Sequence, residues 1–179
     1  PGTREQRARV EREDLGVLQR VLHVIREKPH RQPLGHGEAP LQRAARFDDL
    51  GEQARRAGQT LMVHNHNWEF FRLTDDPSRT AFDVLIEETD PRYVHFELDL
   101  FWSWRGAHDP VDILRRIDGR VRQYHVKDMN QAGSFADPGQ GLIDFVRIFR
   151  AQAVDEYIVE RDDAGTPPRT PRRSAVPTR

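Results

Sequence analysis

Four short segments of this chain each run apolar and then end in residues that bind metals. They are Leu61-Met-Val-His-Asn-His-Asn-Trp-Glu69, Val94-His-Phe-Glu-Leu-Asp-Leu-Phe-Trp102, Arg122-Gln-Tyr-His-Val-Lys-Asp128 and Glu156-Tyr-Ile-Val-Glu160. Each reads as a β-strand with His, Asp or Glu toward its C-terminal end. Stretches with helical spacing lie between them, and the strands recur about every 30 residues. Such alternation predicts parallel strands joined by right-handed crossovers. Polar groups at the C-terminal ends of successive parallel strands are where a β/α barrel keeps its chemistry.

The helices follow from apolar spacing and from start and stop residues. Leu41, Ala44, Ala45, Phe47, Leu50, Ala54 and Ala57 share a broad face over 41–57, and Gly58 follows as a stop. Thr80 to Glu88 is the next helix, with Thr80 or Ser78 as its cap. Asp109-Pro110 opens a third that runs to Ile117, with proline in the first turn. Residues 142–152 form a fourth. The strands are expected at 61–66, 94–100, 121–127 and 156–160. Upstream, Val10 to Ile25 reads as one amphipathic helix and 28–40 as loop.

The expected architecture is therefore α/β: half of a TIM-type β/α barrel, with about four parallel strands and outer helices. Residues 1–40 form an atypical Arg-rich segment, 41–163 the half barrel, and 164–179 a Pro- and Arg-rich tail expected to be disordered. The 179 residues suffice for one domain with a sizeable core. Yet 32% are charged against 36% hydrophobic, so a complete and well-filled core is not expected.

Composition removes several partners. A net charge of -1 gives no bulk attraction to nucleic acid or to an anionic membrane. The absence of cysteine excludes disulfides and thiolate zinc sites. No apolar run approaches a membrane span, and no signal-peptide pattern is present, so the expected location is the cytoplasm. Basic charge is almost wholly arginine. Only Lys28 and Lys127 are lysine, which singles out Lys127, two residues after His125.

Side chains alternate along a strand. Met62, His64 and His66 share one face; so do His95, Glu97 and Asp99; so do Gln123, His125 and Lys127; Ile158 pairs with Glu160. The opposite faces are largely apolar, so the polar faces converge inside the curve, where unpaired charge is costly. His64 with His66, Asp99, His125 and Glu160 read as metal or substrate ligands. Asp99 has an alternative reading as a helix or turn cap, and Glu160 as a partner of an arginine. Glu97, deeper on its face, reads as half of an ion pair. His95 and His108 read as structural, and Trp102 and Trp104 as pocket wall or packing. A carboxylate and imidazole set without thiolate suits Mn²⁺, Zn²⁺, Co²⁺ or Mg²⁺ alike.

At these residues the chain resembles the sugar phosphate isomerase/epimerase family of xylose-isomerase-like barrels. The carrying motifs are His64-Asn-His-Asn-Trp-Glu-Phe70, Glu97-Leu-Asp-Leu-Phe-Trp102, Gly106 to Pro110, Gly119-Arg120, His125-Val-Lys-Asp-Met129, Gly139-Gln-Gly-Leu-Ile-Asp-Phe145 and Ile158-Val-Glu-Arg-Asp162. They stand in the family's order over residues 41–163, its C-terminal half.

The resemblance implies one divalent metal held by Asp99, His125, Glu160 and a first ligand at the place of His64. The family often has Glu there, so His64, His66 and Glu69 all remain open for it. It further implies that Lys127 faces the oxygens of a small sugar or cyclitol, with His66 and Trp102 also lining the substrate. Glu160 or Glu69 would move a proton beside a carbonyl, giving isomerisation or epimerisation through an enediolate. A dehydratase shares that first step. A non-catalytic remnant or interaction module is the alternative of another class. A half barrel alone is expected to turn over little, and a homodimer closing the barrel is the expected assembly. A metal-dependent endonuclease is disfavoured by the lack of basic bias and of further His and Asp ligands.

Overall fold

The computed structural model describes residues 21–24, 40–117 and 119–163. The expectations for the Arg-rich stretch 1–20, the loop at 28–39 and the tail 164–179 lie outside the described residues. In chain order the elements are β1 (Val21–Val24), α1 (Pro40–Arg56), β2 (Thr60–His64), a 3-10 turn (Trp68–Phe70), α2 (Ala81–Glu88), β3 (Val94–Asp99), α3 (Leu100–Arg105), α4 (Pro110–Arg116), β4 (Val121–Val126), β5 (Asp128–Met129), β6 (Phe135–Ala136), α5 (Phe145–Ala151) and β7 (Glu156–Val159). Strands β1-β2-β3-β4-β7 form one sheet in that order, and every pair in it is parallel. The four expected strands are all present.

The fifth strand, β1, is a correction. The spacing predicts a helix over 10–25, whereas Val21–Val24 pairs in parallel with β2 from Val21 opposite Thr60 to Val24 opposite Val63. Periodicity cannot separate a short apolar strand from a helix end. Valine at both ends of a four-residue run favours the extended chain, and pairing satisfies the backbone along that side of β2.

Further elements lie where the spacing gives no helix or strand. The strand of the second segment ends at Asp99 because the Asp99 carboxylate accepts the backbone N–H of Trp102 and caps α3. The loop after β4 contains the antiparallel pair β5–β6.

The caps otherwise follow the residues. Thr80 and Asp83 make a reciprocal capping box at the start of α2. Asp109 caps α4, with Pro110 in its first turn. Gly58 takes a φ of 71° just past α1, a conformation that favours glycine.

The core lies between the sheet and its helices. Leu61 and Val63 of β2, Phe96 and Leu98 of β3, and Tyr124 and Val126 of β4 face outward. They pack with Phe47, Phe82, Leu85, Ile113, Leu114 and Ile148 from the helices. The alternate residues are thereby turned to the other face of the sheet.

A bulge keeps those polar faces matched. Phe96 pairs with Val121, but Glu97 pairs with Gln123, so Arg122 is the extra residue in β4. The shift brings Asp99 level with His125. A slip of one residue would turn one of the two away.

Candidate metal centre

His64 closes β2, Asp99 closes β3, His125 lies near the end of β4, and Glu160 follows β7, its own N–H reaching Val126 O at 3.3 Å. The structure brings these four together. His64 Nε2 stands 3.7 Å from Asp99 Oδ2. His125 Nδ1 stands 3.8 Å from the same oxygen and 3.1 Å from Glu160 Oε2. The rings of His64 and His125 meet edge to face, with centroids 4.5 Å apart.

Glu97 sits behind the two imidazoles. Its Oε2 is hydrogen-bonded to His64 Nδ1 at 3.1 Å, and its Oε1 lies 2.7 Å from His125 Nε2. A carboxylate oxygen only accepts, and in each ring the nitrogen nearest a carboxylate is the one that faces Glu97, 3.1 against 3.7 Å for His64 and 2.7 against 3.1 Å for His125, so those nitrogens are assigned the ring protons from the contacts. In the neutral rings His64 Nε2 and His125 Nδ1 then present lone pairs toward Asp99 and Glu160. His64, Glu97 and His125 also offer a set of potential ligand atoms within 4.8 Å of one another. That set is the poorer one, because its contacts are those of N–H to carboxylate pairs.

Whether a metal fits is decided by two buried atoms. Asp99 Oδ2 and His125 Nδ1 are both buried and neither makes a hydrogen bond, their polar neighbours being the Lys127 ammonium at 3.2 Å and the Glu160 carboxylate at 3.1 Å. Their 3.8 Å separation is too long for one, but suits two ligands that each stand roughly 2.0–2.2 Å from one ion. His64 Nε2 and Glu160 Oε2 would complete a set of two imidazoles and two carboxylates.

Asp99 makes the cap and keeps a second oxygen placed for the ligand reading. Its Oδ1 caps α3 at 2.8 Å from Trp102 N, which leaves Oδ2 for the centre. Asn65 holds it there, its Oδ1 accepting the Asp99 N–H at 2.8 Å and its Nδ2 reaching Asp99 O at 3.3 Å. Burial is the main influence on the Asp99 carboxyl and raises its pKa despite the nearby Lys127 cation. For Glu97 burial also acts upward. The imidazoles of His125 and His64 outweigh it and hold the group below the usual carboxylate range.

Lys127 is 3% exposed and faces three carboxylates: Asp162 at 2.9 and 3.1 Å, Glu160 at 3.1 Å and Asp99 at 3.2 Å. Burial alone would lower its pKa, but Asp99 and Asp162 carry it upward, so it stays an ammonium. Asp162, Asn65 and the bridging role of Glu97 are absent from the sequence reading. The signal for the first two lies in the motifs that carry them.

His66 touches His64, with ring centroids 4.8 Å apart, and stacks on Trp68 at 4.1 Å. Burial, then the neighbouring His64 and Lys127, lower its pKa to about 3, so the ring is neutral near pH 7. Trp102 tilts toward His66 at 5.5 Å and meets Phe135 edge to face. These rings make an aromatic wall beside the centre. Glu69 turns elsewhere: its Oε2 accepts the His66 N–H at 2.8 Å, and burial raises its pKa. The backbone loop, not the ligand set, holds that carboxylate.

Residues 13–160 match the family described as the xylose isomerase-like TIM barrel. The chain belongs to that family. The match begins upstream of the first motif and takes in β1. Among relatives, an inosose dehydratase of Geobacillus kaustophilus is 31% identical over 110 residues, 51% of this chain and 34% of that protein. One from Lacticaseibacillus casei is 28% identical over 149 residues, 70% of this chain and 48% of its own length. Among solved structures, a sugar phosphate isomerase/epimerase of Parabacteroides distasonis superposes with a TM-score of 0.61 at 27% identity, covering 72% of this chain and 46% of that one. The chain thus spans a third to a half of these relatives. No described helix is long and apolar enough to cross a membrane.

Proposed function

We propose that this chain carries the metal-holding wall of a divalent-metal-dependent enzyme. Its reaction would isomerise or epimerise a small sugar, sugar phosphate or cyclitol by removing the proton beside a carbonyl. The observation that carries the proposal is the convergence of His64 Nε2, Asp99 Oδ2, His125 Nδ1 and Glu160 Oε2 at the C-terminal ends of adjacent parallel strands. Bound Mn²⁺, Zn²⁺, Co²⁺ or Mg²⁺ would supply Lewis-acid stabilisation of the enediolate oxygens.

The chain's own groups supply the rest. Glu160, one third exposed, is open to a substrate and takes up the proton at its carboxylate, then returns it to the neighbouring carbon in an isomerisation, whereas epimerisation takes a proton from a second acid on the other face. Glu69 is the second candidate for that role, and its raised pKa favours holding a proton. Lys127 offers an ammonium to a substrate oxygen. His66 and Trp102 face the ring or chain carbons.

A dehydratase is the second reading, favoured by relatives that bear the name inosose dehydratase. It shares the proton abstraction and then expels hydroxide from the adjacent carbon, with a proton returned to make water. Both readings include a second copy of the chain as the opposite wall. In the described sheet β1 and β7 each pair on one side only, and such edges take up further strands.

The test is deuterium incorporation into candidate ketoses and inososes, with added Mn²⁺ and the chain at high concentration. Metal-dependent exchange that is lost in Glu160→Gln is the expected result. Absence of exchange from the metal-loaded chain would instead favour a non-catalytic remnant, and exchange indifferent to Glu160→Gln would remove Glu160 from its role.

A further inference from the structure

We infer that Glu97 is the positioning residue of this centre: one carboxylate that fixes His64 and His125 in opposite tautomers and so aims a lone pair from each ring at the same point. The inference deepens the metal reading above and rests on it for its second half.

The geometry is specific. Glu97 lies on β3 between β2 and β4, with His64 level with it in β2 and Gln123 level with it in β4. It is 1% exposed, so its two oxygens have little access to water. Oε2 meets the Nδ1 of His64 at 3.1 Å, and Oε1 meets the Nε2 of His125 at 2.7 Å. The two rings therefore present different atoms to the carboxylate. Their remaining nitrogens, His64 Nε2 and His125 Nδ1, face Asp99 Oδ2 at 3.7 and 3.8 Å, and His125 Nδ1 also faces Glu160 Oε2 at 3.1 Å, farther than Glu97 lies from Nε2. Left to itself each neutral ring would exchange between tautomers, and one tautomer of each would turn an N–H at the cation. Carboxylates that accept the second ring N–H of a metal-binding histidine orient the ring and raise its basicity. Here one carboxylate serves two rings.

Glutamine cannot replace it. Its carbonyl oxygen accepts one N–H, but its NH₂ donates, so the ring facing the amide must present a lone pair there. That ring's proton moves to the nitrogen that faces Asp99.

The experiment reads tautomers directly. In metal-free protein, ¹⁵N chemical shifts of the imidazoles near neutral pH should show His64 protonated at Nδ1 and His125 at Nε2. Glu97→Gln should convert one of the two rings to the other tautomer. The same variant should weaken Zn²⁺ or Mn²⁺ binding about 10- to 100-fold by titration. His64 protonated at Nε2, or His125 at Nδ1, in the unaltered protein would overturn the inference, and needs no variant to fold. So would unchanged tautomers in Glu97→Gln, or X-ray absorption that finds Glu97 itself bound to the metal. The stated tautomers in a chain that binds no metal would uphold the positioning and overturn the metal reading alone.

Discussion

Asp99 caps the helix that carries Trp102: Asp99 Oδ1 accepts the Trp102 N–H at 2.8 Å, at the point where β3 becomes α3. The same carboxylate turns its other oxygen toward His64 and His125. The cap and the proposed ligand role thus fall on separate oxygens, and two variants separate them.

Asp99→Asn keeps a cap acceptor and removes the ligand charge. It should bind divalent metal at least 10-fold more weakly and leave α3 in place. Asp99→Ala should lose the metal and also about 1 kcal/mol of capping. Urea unfolding beside metal titration measures both. Equal stability of the two variants would show that the cap contributes nothing.

Lys127 is the one cation the described structure sets among Asp99, Glu160 and Asp162. Removing one member of a fully buried pair costs about 3–5 kcal/mol. Glu160 and Asp162 are a third open to water, so Lys127→Met should cost about 2–3 kcal/mol in metal-free protein. A divalent ion at 100 times its dissociation constant restores about 2.7 kcal/mol. Thermal melts with and without Mn²⁺ should therefore differ more for this variant than for the unaltered chain. An equal gain in both would mean that Lys127 and the metal do not share carboxylates.

Asp128 organises the loop that follows β4. Its buried carboxylate accepts the backbone N–H groups of Met129, Gly139, Gly141 and Ile143. A Cβ at Gly141 would run into that carboxylate and into Met129 O. Gly141→Ala should cost about 1–3 kcal/mol in chemical unfolding. It should also loosen Phe135, which stacks on Phe101 beside Trp102, and so shift tryptophan emission. A variant as stable as the parent would mean that the loop has room to give.

The parallel sheet and the convergence of three members of the proposed ligand set were legible in the sequence because period-two alternation and strand-end placement fix which way a side chain points. Asp99, His125 and Glu160 needed only that. His64 was narrowed to a choice among three, since the residues after β2 leave the strand and alternation no longer orients them. The loop decides there: Glu69 turns back to the His66 N–H. β1 was missed because four residues give a periodicity test nothing to count. The bulge at Arg122 was hidden because register depends on the partner strand. Glu97 was read as half of an ion pair, and the structure sets it against basic partners. That its pair was two imidazoles follows only from strands 30 residues apart lying side by side.

The most direct test of the whole reading is metal binding by the purified chain, measured by calorimetry and elemental analysis with Mn²⁺ and Zn²⁺. The account predicts one ion per chain. Asp99→Asn and His125→Ala should bind at least 10-fold more weakly, while His95→Gln, on the same face of β3 as Asp99 but away from the convergence, should bind as the parent does. Full occupancy in Asp99→Asn and His125→Ala together, or equal loss in His95→Gln, would contradict it.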